Sequence, residues 1–427
     1  MSIKKVLDNL DFLPDNEEYA YLEKQTDEFV ELLKKQLAKD RVFEEVFVGG
    51  SFAKGTLVKK PVYDIDIFVR FDWRVDDISP LLEKALKPLC KKAKLRLIKL
   101  HGSRDYFHVI RSKKLIFEVV PVTKIKQQKE AKNVTDLSYF HVNYIKKKIA
   151  KNKKLAKEIA LAKTFCRAQN VYGAESYING FSGYGLECLI VYYRSFEKML
   201  KALAKTKARE QIIIDIEKKY KKSKDVFFEL NESKLKSPII LIDPTWKERN
   251  ALAALSNKAF EKFQDSARIF LKHPSKNFFE HKKPDINTLK EKAKKSKAEF
   301  MHIKLETDRQ EGDIAGTKLK KFTNFLTLEL EKYFNIINKE FEYDEKQGAD
   351  VYLVLEGKKE IVRIGPPVKM LDYAAAFRKE NKNVFEKGGL LHTKIKVNFS
   401  AKKFINNFAK KDKNKLKEMG ITDLKVN

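Results

Sequence analysis

The sequence has few cysteines and no apolar segment of membrane length. Its three cysteines, Cys90, Cys166 and Cys188, are far apart and form no C-x-x-C pair, so a zinc site is not expected. A sparse, odd set of thiols is typical of a reducing compartment. No apolar run approaches the ~20 residues that cross a bilayer, and the first residues lack the apolar core of a signal peptide. We therefore expect a cytoplasmic protein without a membrane anchor.

Acidic residues are scarce relative to basic ones. The chain of 427 residues contains 89 Lys+Arg and 59 Asp+Glu, which gives a formal net charge of +30. A large positive field favours polyanionic partners, either nucleic acid or an anionic membrane surface, although a generally lysine-rich surface has the same composition. With 43% hydrophobic residues, the chain can build real cores, which excludes a disordered protein. Its length indicates roughly two to four domains.

The first 140 residues alternate between strand and helix patterns. The predicted elements are helices at 15–39 and 77–91 and strands at 42–48, 64–71, 95–100, 106–110 and 115–120. This order is typical of a compact α/β module.

The remaining chain changes character twice. Residues 141–275 are mainly helical, with predicted helices at 153–169, 182–205 and 250–272 and a short strand at 238–244. The lysine-rich stretch 281–297 is interpreted as a linker or an exposed helix. Beyond it, strands at 300–305, 341–343 and 351–355 and helices at 317–335, 370–379 and 401–418 predict an α+β module.

Two aspartates, Asp64 and Asp66, are two residues apart in a predicted strand. Alternate residues of a strand point to the same face, so both carboxylates project together while Ile65 points to the other face. Two acids this close repel each other unless a cation lies between them, and Mg²⁺ prefers such hard oxygen ligands. A D-x-D pair alone is weak evidence, because most such pairs are surface carboxylates.

A glycine turn precedes this pair by about fifteen residues and reads G-S-x-x-x-G-T from Gly50 to Thr56. Glycine lets the backbone approach a triphosphate, backbone N–H groups and Ser51 can donate to its oxygens, and Lys54 supplies positive charge. An ordinary strand-to-helix turn has a similar sequence. A glycine turn followed by D-x-D at this spacing is far more specific than either part.

A third carboxylate is expected on a neighbouring strand. Glu118 is the candidate, because it is an acid within the apolar segment Phe117–Pro121, where an unpaired charge would be costly. Asp105 is the alternative, but it lies in a polar turn, which a capping role explains. With two bound metal ions, such a site would activate an attacking 3′-hydroxyl and stabilise the leaving pyrophosphate.

The run from Gly50-Ser51 to Asp64-x-Asp66 resembles the signature of the polymerase-beta-like nucleotidyltransferases. Three later segments narrow the resemblance to the archaeal (class I) CCA-adding enzymes: N-V-Y-G-A-E at 170–175, G-F-S-G-Y-G-L-E at 180–187 and D-P-x-x-K-x-R-N-A at 243–251. The resemblance covers residues 1–380 and is weaker beyond. The bacterial and eukaryotic CCA enzymes share only the head signature.

This resemblance implies an α+β multidomain protein. A polymerase-beta-like nucleotidyltransferase head at 1–140 would be followed by a helical neck at 141–275 and an α+β body and tail at 276–427 that bind tRNA. Asp64, Asp66 and Glu118 match the catalytic metal ligands, although the third is normally aspartate. Gly50, Ser51 and Lys54 match the triphosphate-binding turn, with Lys54 in place of the usual arginine and without its bidentate fork.

Four residues beyond the head match nucleotide-binding positions in the same way. His141, Lys163 and Tyr172 match neck residues that hold the nucleotide, and Arg249 matches an arginine that helps to read the incoming base. Without the resemblance, each has an ordinary structural explanation. Lys163 could extend from an apolar helix to solvent, His141 and Tyr172 could be packed core residues, and Arg249 could be a surface arginine.

Together these observations predict an enzyme that adds or repairs the 3′-terminal CCA of tRNA, with two Mg²⁺ ions as cofactors and CTP and ATP as substrates. Its basic surfaces should hold the tRNA backbone and recognise the acceptor and TΨC arm by shape. The resemblance also implies a homodimer. Two alternatives remain open: a poly(A) or oligoadenylate polymerase of the same superfamily, and a non-catalytic RNA-binding protein with a decayed site.

Overall fold

The structure, a computed structural model, describes residues 2–38, 43–207, 210–281 and 283–427. These residues divide into two units, 1–281 and 282–427. The predicted strand at 42–48 begins outside the described residues. The predicted helix at 15–39 also ends outside them. Among the described residues, no helix is both long enough and apolar enough to cross a membrane.

Five strands near the start of the chain form one mixed sheet. They are β1 (Phe43–Val48), β2 (Tyr63–Phe71), β3 (Arg96–Leu100), β4 (Tyr106–Ser112) and β5 (Leu115–Thr123), in the spatial order β1-β2-β5-β4-β3. The β2–β5 pair is parallel and the other neighbours are antiparallel. Strand β2 is buried along most of its length, which agrees with its Ile-, Phe- and Val-rich sequence. The parallel pair therefore forms the buried centre of the sheet.

Three helices pack against this sheet: α2 (Asn16–Leu37), the single turn α3 (Gly50–Ala53) and α4 (Ile78–Ala93). The first helix, α1 (Ile3–Asp8), instead contributes Val6 to the helical core that follows in the chain. Helix α2 carries an apolar stripe that includes the buried residues Leu22, Phe29 and Leu33. This stripe and the buried side of α4 share one core with the sheet. Phe29 stacks on Phe117 of β5 with 4.5 Å between ring centroids, so helix packing fixes the position of β5.

A second, mainly helical core follows in the same unit. Its helices are α5 (Ser138–Lys151), α6 (Lys154–Ala168), α7 (Gly183–Tyr193), α8 (Phe196–Lys205), α9 (Val226–Glu229), α10 (Glu232–Leu235) and α11 (Asn257–Lys272), and its two parallel strands are β6 (Ile212–Asp215) and β7 (Ile239–Ile242). Phe165 of α6 lies at the centre, in contact with the rings of Phe196, Phe263 and Phe270. Cys166 and Cys188 are buried in this core.

The second unit contains two sheets. Its elements are α12 (Ile286–Lys295), β8 (Glu299–Glu306), α13 (Asp313–Glu331), β9 (Phe334–Tyr343), β10 (Gly348–Gly357), β11 (Glu360–Pro367), α14 (Leu371–Glu380), β12 (Val384–Lys387), β13 (Leu390–Lys396), α15 (Ala401–Lys411), α16 (Lys413–Glu418) and β14 (Asp423–Val426). The sheet orders are β14-β8-β10-β9 and β11-β13-β12. Apolar residues of α13 and α15 share a core with the four-stranded sheet. The α+β class expected from the sequence is thus confirmed.

Several predicted helix boundaries were wrong. The helix expected at 182–205 is two helices, because Arg194 adopts a left-handed conformation (φ 69°) that ends α7, and Ser195 then caps α8. The helix expected at 250–272 begins only after its cap Ser256. The helix expected at 317–335 ends at Glu331, and the helix expected at 401–418 breaks at Asp412. The sheet β11-β13-β12 and strands β6 and β14 were not predicted.

Candidate active site

The three candidate metal ligands lie on the two central parallel strands. Asp64 and Asp66 are on β2 and Glu118 is on β5, where the strand register places Asp66 directly opposite Glu118. Ile65 between the two aspartates is fully buried in the sheet core. The alternation of the strand therefore separates the acidic face from the apolar one, as the sequence predicted.

The acidic face is electrostatically crowded. Burial, followed by the charges of Glu118 and Asp64, raises the pKa of Asp66 to about 7. The two acids beside Asp66 each contact a basic side chain. Lys60 donates to Asp64, and His108 Nε2 lies 3.2 Å from a Glu118 carboxylate oxygen. Among the described residues, no three His, Cys, Asp or Glu side chains converge in a geometry ready for a metal ion. The donor set nevertheless suits a hard cation, which would offset the desolvation of the buried Asp66 carboxylate and its repulsion by Glu118 and Asp64.

The glycine turn approaches this acidic face closely. Gly50 has φ of 60°, and a Cβ placed on it would lie 1.6 Å from Asp66 Oδ2, so only glycine fits here. The preceding backbone N–H of Gly49 donates to the Asp66 carbonyl at 2.9 Å. Thr56 N–H closes the turn by donating to the Ser51 carbonyl at 2.9 Å. The predicted phosphate turn and the acidic strand are therefore in direct contact.

Two predicted nucleotide-binding lysines share a buried glutamate. Lys54 at the end of the turn donates to Glu187 Oε2 at 2.8 Å, and Lys163 of α6 donates to Glu187 Oε1 at 2.9 Å. Lys163 also donates to Thr56 Oγ1 at 3.0 Å. All three charged side chains are less than 10% exposed. Lys163 is thus a buried, paired lysine and does not extend to solvent.

A second buried acid, Asp243, binds two of the predicted nucleotide-binding residues. Asp243 accepts hydrogen bonds from His141 Nε2 at 2.9 Å and from Arg249 Nη1 at 2.8 Å. The ring of Tyr184 stacks on His141 with 3.9 Å between centroids, and its hydroxyl donates to Asp243 at 3.0 Å. The structure therefore brings His141 and Arg249 together, although they are far apart in the sequence.

Tyr172 lies beside the start of α7. Its backbone forms an isolated bridge with Phe181, and the Arg167 guanidinium lies over its ring at 4.7 Å. A Cβ on Gly183 would lie 2.9 Å from the Tyr172 hydroxyl, so this glycine leaves room for the tyrosine. The loop before α7 thereby fixes the ring.

Lys54 connects the three groups electrostatically. Burial is the largest influence on the pKa of Asp66, His141 and Tyr172, and the nearby Lys54 charge lowers the pKa of each. The charge of Lys54 therefore influences Asp66 on the acidic strand, His141 and Tyr172. The ten predicted site residues belong to one region of the first unit.

Asp105, the alternative third acid, lies away from the aspartate pair in a polar turn, and three further residues of the site were not predicted from the sequence. Asp105 is bonded to His101 Nδ1 at 2.9 Å and to Lys99 Nζ at 3.1 Å in the turn before β4. Glu187 and Asp243 were not assigned roles, although both are acids in apolar segments and that pattern could have found them. Tyr184 carries no comparable sequence signal.

Two protein-family models match the first unit of the chain. Residues 30–165 match the family model described as "Nucleotidyltransferase domain", and residues 157–280 match "tRNA nucleotidyltransferase, second domain". The first match confirms the nucleotidyltransferase fold of the head.

Individual relatives cover most of the chain. A protein of Nanoarchaeum equitans named "CCA-adding enzyme" is 35% identical over 395 residues, which cover 91% of this chain and 92% of that protein. A "CCA-adding enzyme" of Sulfurisphaera tokodaii is 30% identical and covers 79% of this chain and 76% of its own length. Among solved structures, the Cid1 poly(U) polymerase aligns with a TM-score of 0.50 at 12% identity, over 66% of this chain and 98% of that one, which indicates a shared fold.

Proposed function

This chain belongs to the CCA-adding enzyme family, and we propose that it adds or repairs the 3′-terminal CCA of tRNA by transferring nucleotides from CTP and ATP without a nucleic-acid template. The observation that carries the proposal is the arrangement of Asp64, Asp66 and Glu118 on adjoining parallel strands beside the Gly50 turn. A carboxylate cluster next to a glycine turn is what transfer of a nucleotidyl group requires. Crowding these acids is electrostatically unfavourable without a cation, which argues against a non-catalytic site.

Each domain has a separate role in this proposal. Residues 1–140 form the catalytic head, residues 141–275 form the neck that holds the nucleotide, and residues 276–427 form a body and tail that bind the acceptor and TΨC arm of tRNA. The net charge of +30 suits a polyanionic partner of this size. A homodimer is part of the same proposal.

Members of this enzyme class use a divalent metal ion, and we assign its ligands to Asp64, Asp66 and Glu118. Two Mg²⁺ ions bound there would lower the pKa of the tRNA 3′-hydroxyl and stabilise the leaving pyrophosphate. Lys60 donates to one oxygen of Asp64, and His108 lies beside one oxygen of Glu118, so the other oxygen of each carboxylate would remain open to a cation.

The other site residues bind and orient the nucleotide. Lys54 and Lys163 are placed to hold the triphosphate, because their two ammonium groups meet at Glu187 where the turn contacts α6 and α7. Ser51 is assigned to the same role because it lies on that turn. Tyr172, His141 and Arg249 are assigned to the nucleoside. Holding both ends of the nucleotide sets the α-phosphorus for in-line attack, which is positioning catalysis.

The decisive experiment uses the purified full-length chain, Mg²⁺ and a tRNA transcript that lacks its last three nucleotides. Sequencing of the products should show C, CC and CCA additions, without U or G and without a long tail. Extended A tracts, or equal extension of an unrelated single-stranded RNA, would instead identify a poly(A) polymerase. No extension by a protein that still binds tRNA would identify a non-catalytic RNA-binding protein.

A further inference from the structure

We propose that Asp243 is a positioning residue for nucleobase selection, because its carboxylate fixes the Arg249 guanidinium and the His141 imidazole in one hydrogen-bonding arrangement. The inference rests on the proposed function, since it requires CTP or ATP to occupy the site. It goes further by assigning base selectivity to an acid that itself contacts neither the base nor the phosphates.

Asp243 has no capacity left for a ligand. The residue is fully buried directly after β7. Its Oδ2 accepts from His141 and Arg249, and its Oδ1 accepts from the Tyr184 hydroxyl and from both the N–H and the hydroxyl of Thr245 at 2.8 Å. A carboxylate offers about four lone-pair sites, so this one is saturated. Its role must therefore be exerted through the groups that it holds.

The backbone around Asp243 is equally constrained. Its N–H donates to the Arg249 carbonyl at 2.9 Å, which closes a short loop between the two residues. The Asn250 side chain accepts from the N–H groups of Leu241 at 3.0 Å and Leu252 at 2.9 Å, and so fixes the end of that loop. Arg249 is consequently held at both its main chain and its guanidinium.

The ionisation of Asp243 determines the tautomer of His141. Burial opposes its charge, but the hydrogen bond from His141 and the nearby Arg249 charge hold the pKa of Asp243 well below its usual range. An ionised carboxylate only accepts, so the His141 proton lies on Nε2. Burial also lowers the pKa of His141, which keeps the ring neutral near pH 7 and leaves Nδ1 as an acceptor.

The site then offers one fixed acceptor and fixed donors. His141 Nδ1 accepts, and the guanidinium N–H groups of Arg249 that do not bind Asp243 donate. Cytosine and adenine present an amino donor beside a ring-nitrogen acceptor, whereas uracil and guanine present a carbonyl beside a ring N–H. The arrangement complements the first pair, and it opposes the second pair at both positions.

The Tyr184 ring contacts both side chains that Asp243 holds. It stacks on the His141 ring at an interplanar angle of 23°, and the Arg249 guanidinium lies 5.9 Å from its centroid. Its hydroxyl donates to Asp243, so Tyr184 contacts His141, Arg249 and Asp243 at once. Sites that hydrogen-bond a substrate reject analogues strongly, because a wrong partner leaves buried polar groups unpaired.

The test compares kcat/KM for CTP, ATP, UTP and GTP in wild type and Asp243→Asn, with tRNAs that end one nucleotide before each addition. We expect the preferences for CTP over UTP and for ATP over GTP to fall by about 10- to 100-fold, because the asparagine amide no longer imposes the tautomer. Equal losses for all four nucleotides would overturn the proposal.

A matched control separates selection from stability. Asp136 is also a buried carboxylate that binds an arginine, Arg104, and backbone N–H groups in the head. Asp136→Asn should lower Tm but leave the nucleotide preferences unchanged. If Asp243→Asn fails to fold, Tyr184→Phe, which removes a single donor to Asp243, decides the matter. Unchanged preferences in Tyr184→Phe would then reject the proposal.

A double-mutant cycle tests whether Asp243 acts through Arg249. Combined with Arg249→Met, Asp243→Asn should reduce the preference by less than it does in wild type, because only its effect on His141 remains. Fully additive losses would show an independent role and contradict the inference. Failure of the proposed function is distinguishable, because then the wild type itself would not add CCA.

Discussion

Asp66 and Glu118 lie directly opposite each other on the parallel strands β2 and β5, and Asp64 shares their face two residues before Asp66. Two neighbouring parallel strands can be offset in many ways, and this register places the third acid beside the aspartate pair. The Gly50 turn then presses its backbone against Asp66. Four predictions test what this arrangement and its neighbours do.

Asp66→Asn should abolish transfer but leave tRNA affinity nearly intact, because phosphate contacts dominate tRNA binding. It should also remove most of the thermal stabilisation that Mg²⁺ gives the wild type, since a ligand that binds only the folded state raises Tm. Activity, filter binding and thermal melts check these outcomes. The control is Asp76→Asn, which changes an exposed aspartate of the same unit that is bonded to Lys132. An equal loss of tRNA binding in Asp66→Asn would contradict a catalytic role.

Glu118→Gln keeps the side-chain shape and removes its charge, so we expect kcat to fall on the order of 10²–10³-fold, as for loss of one stabilising group in a transition state. Glu118→Asp should retain more activity than Glu118→Gln, because the charge remains. The comparison variant is Asp105→Asn, which should stay near wild type, since Asp105 is bonded to His101 and Lys99. Normal turnover in Glu118→Gln together with an inactive Asp105→Asn would reverse the assignment.

The acidic face was predictable because its signals are local. The two-residue period of β2 places Asp64 and Asp66 together, and a lone acid in the apolar strand β5 pointed to Glu118. Glu187 and Asp243 are also lone acids in apolar segments, but the sequence does not indicate which basic residues they bind. Lys54 and Glu187 are 133 residues apart, and His141 and Asp243 are 102 apart. No periodicity encodes such contacts, which depend on how the helices pack.

The missed sheet β11-β13-β12 has a different cause. Strand β11 reads E-I-V-R-I-G-P-P, and both Val362 and Ile364 are more than half exposed. Strands are recognised from alternation between a buried and an exposed face, and here apolar and charged residues occur on both sides. Gly365 and Pro366 also punctuate the segment as a turn would. Tertiary pairing with β13 decides the conformation instead.

His141 should make the stability of the protein sensitive to acid. Burial lowers the pKa of His141 below the ordinary histidine value of 6.5, so the unfolded chain binds a proton at a pH where the folded chain does not. Stability is therefore lost as the pH falls through about 6.5. Between about pH 7.5 and 5.5, wild type should lose more free energy of unfolding than His141→Gln in denaturant titrations. Parallel losses in both proteins would exclude this contribution.

The last prediction concerns the buried cluster in which Glu187 receives hydrogen bonds from Lys54 and Lys163. It contains two ammonium groups and one carboxylate, so one positive charge is left uncompensated. A triphosphate is the natural partner for that charge in the proposed function. Glu187→Gln leaves two buried ammonium groups facing each other. Breaking a buried pair in this way costs about 3–5 kcal/mol, because an uncompensated charge remains.

Two further measurements distinguish this electrostatic account from a simple packing defect. Adding Lys163→Met to Glu187→Gln restores a single positive charge, so the double variant should be more stable than Glu187→Gln alone. CTP should raise the Tm of Glu187→Gln by more than it raises that of wild type, since the triphosphate supplies the missing negative charge. If the double variant is less stable than the single one and CTP raises both Tm values equally, then Glu187 acts through packing and not by balancing the two lysines.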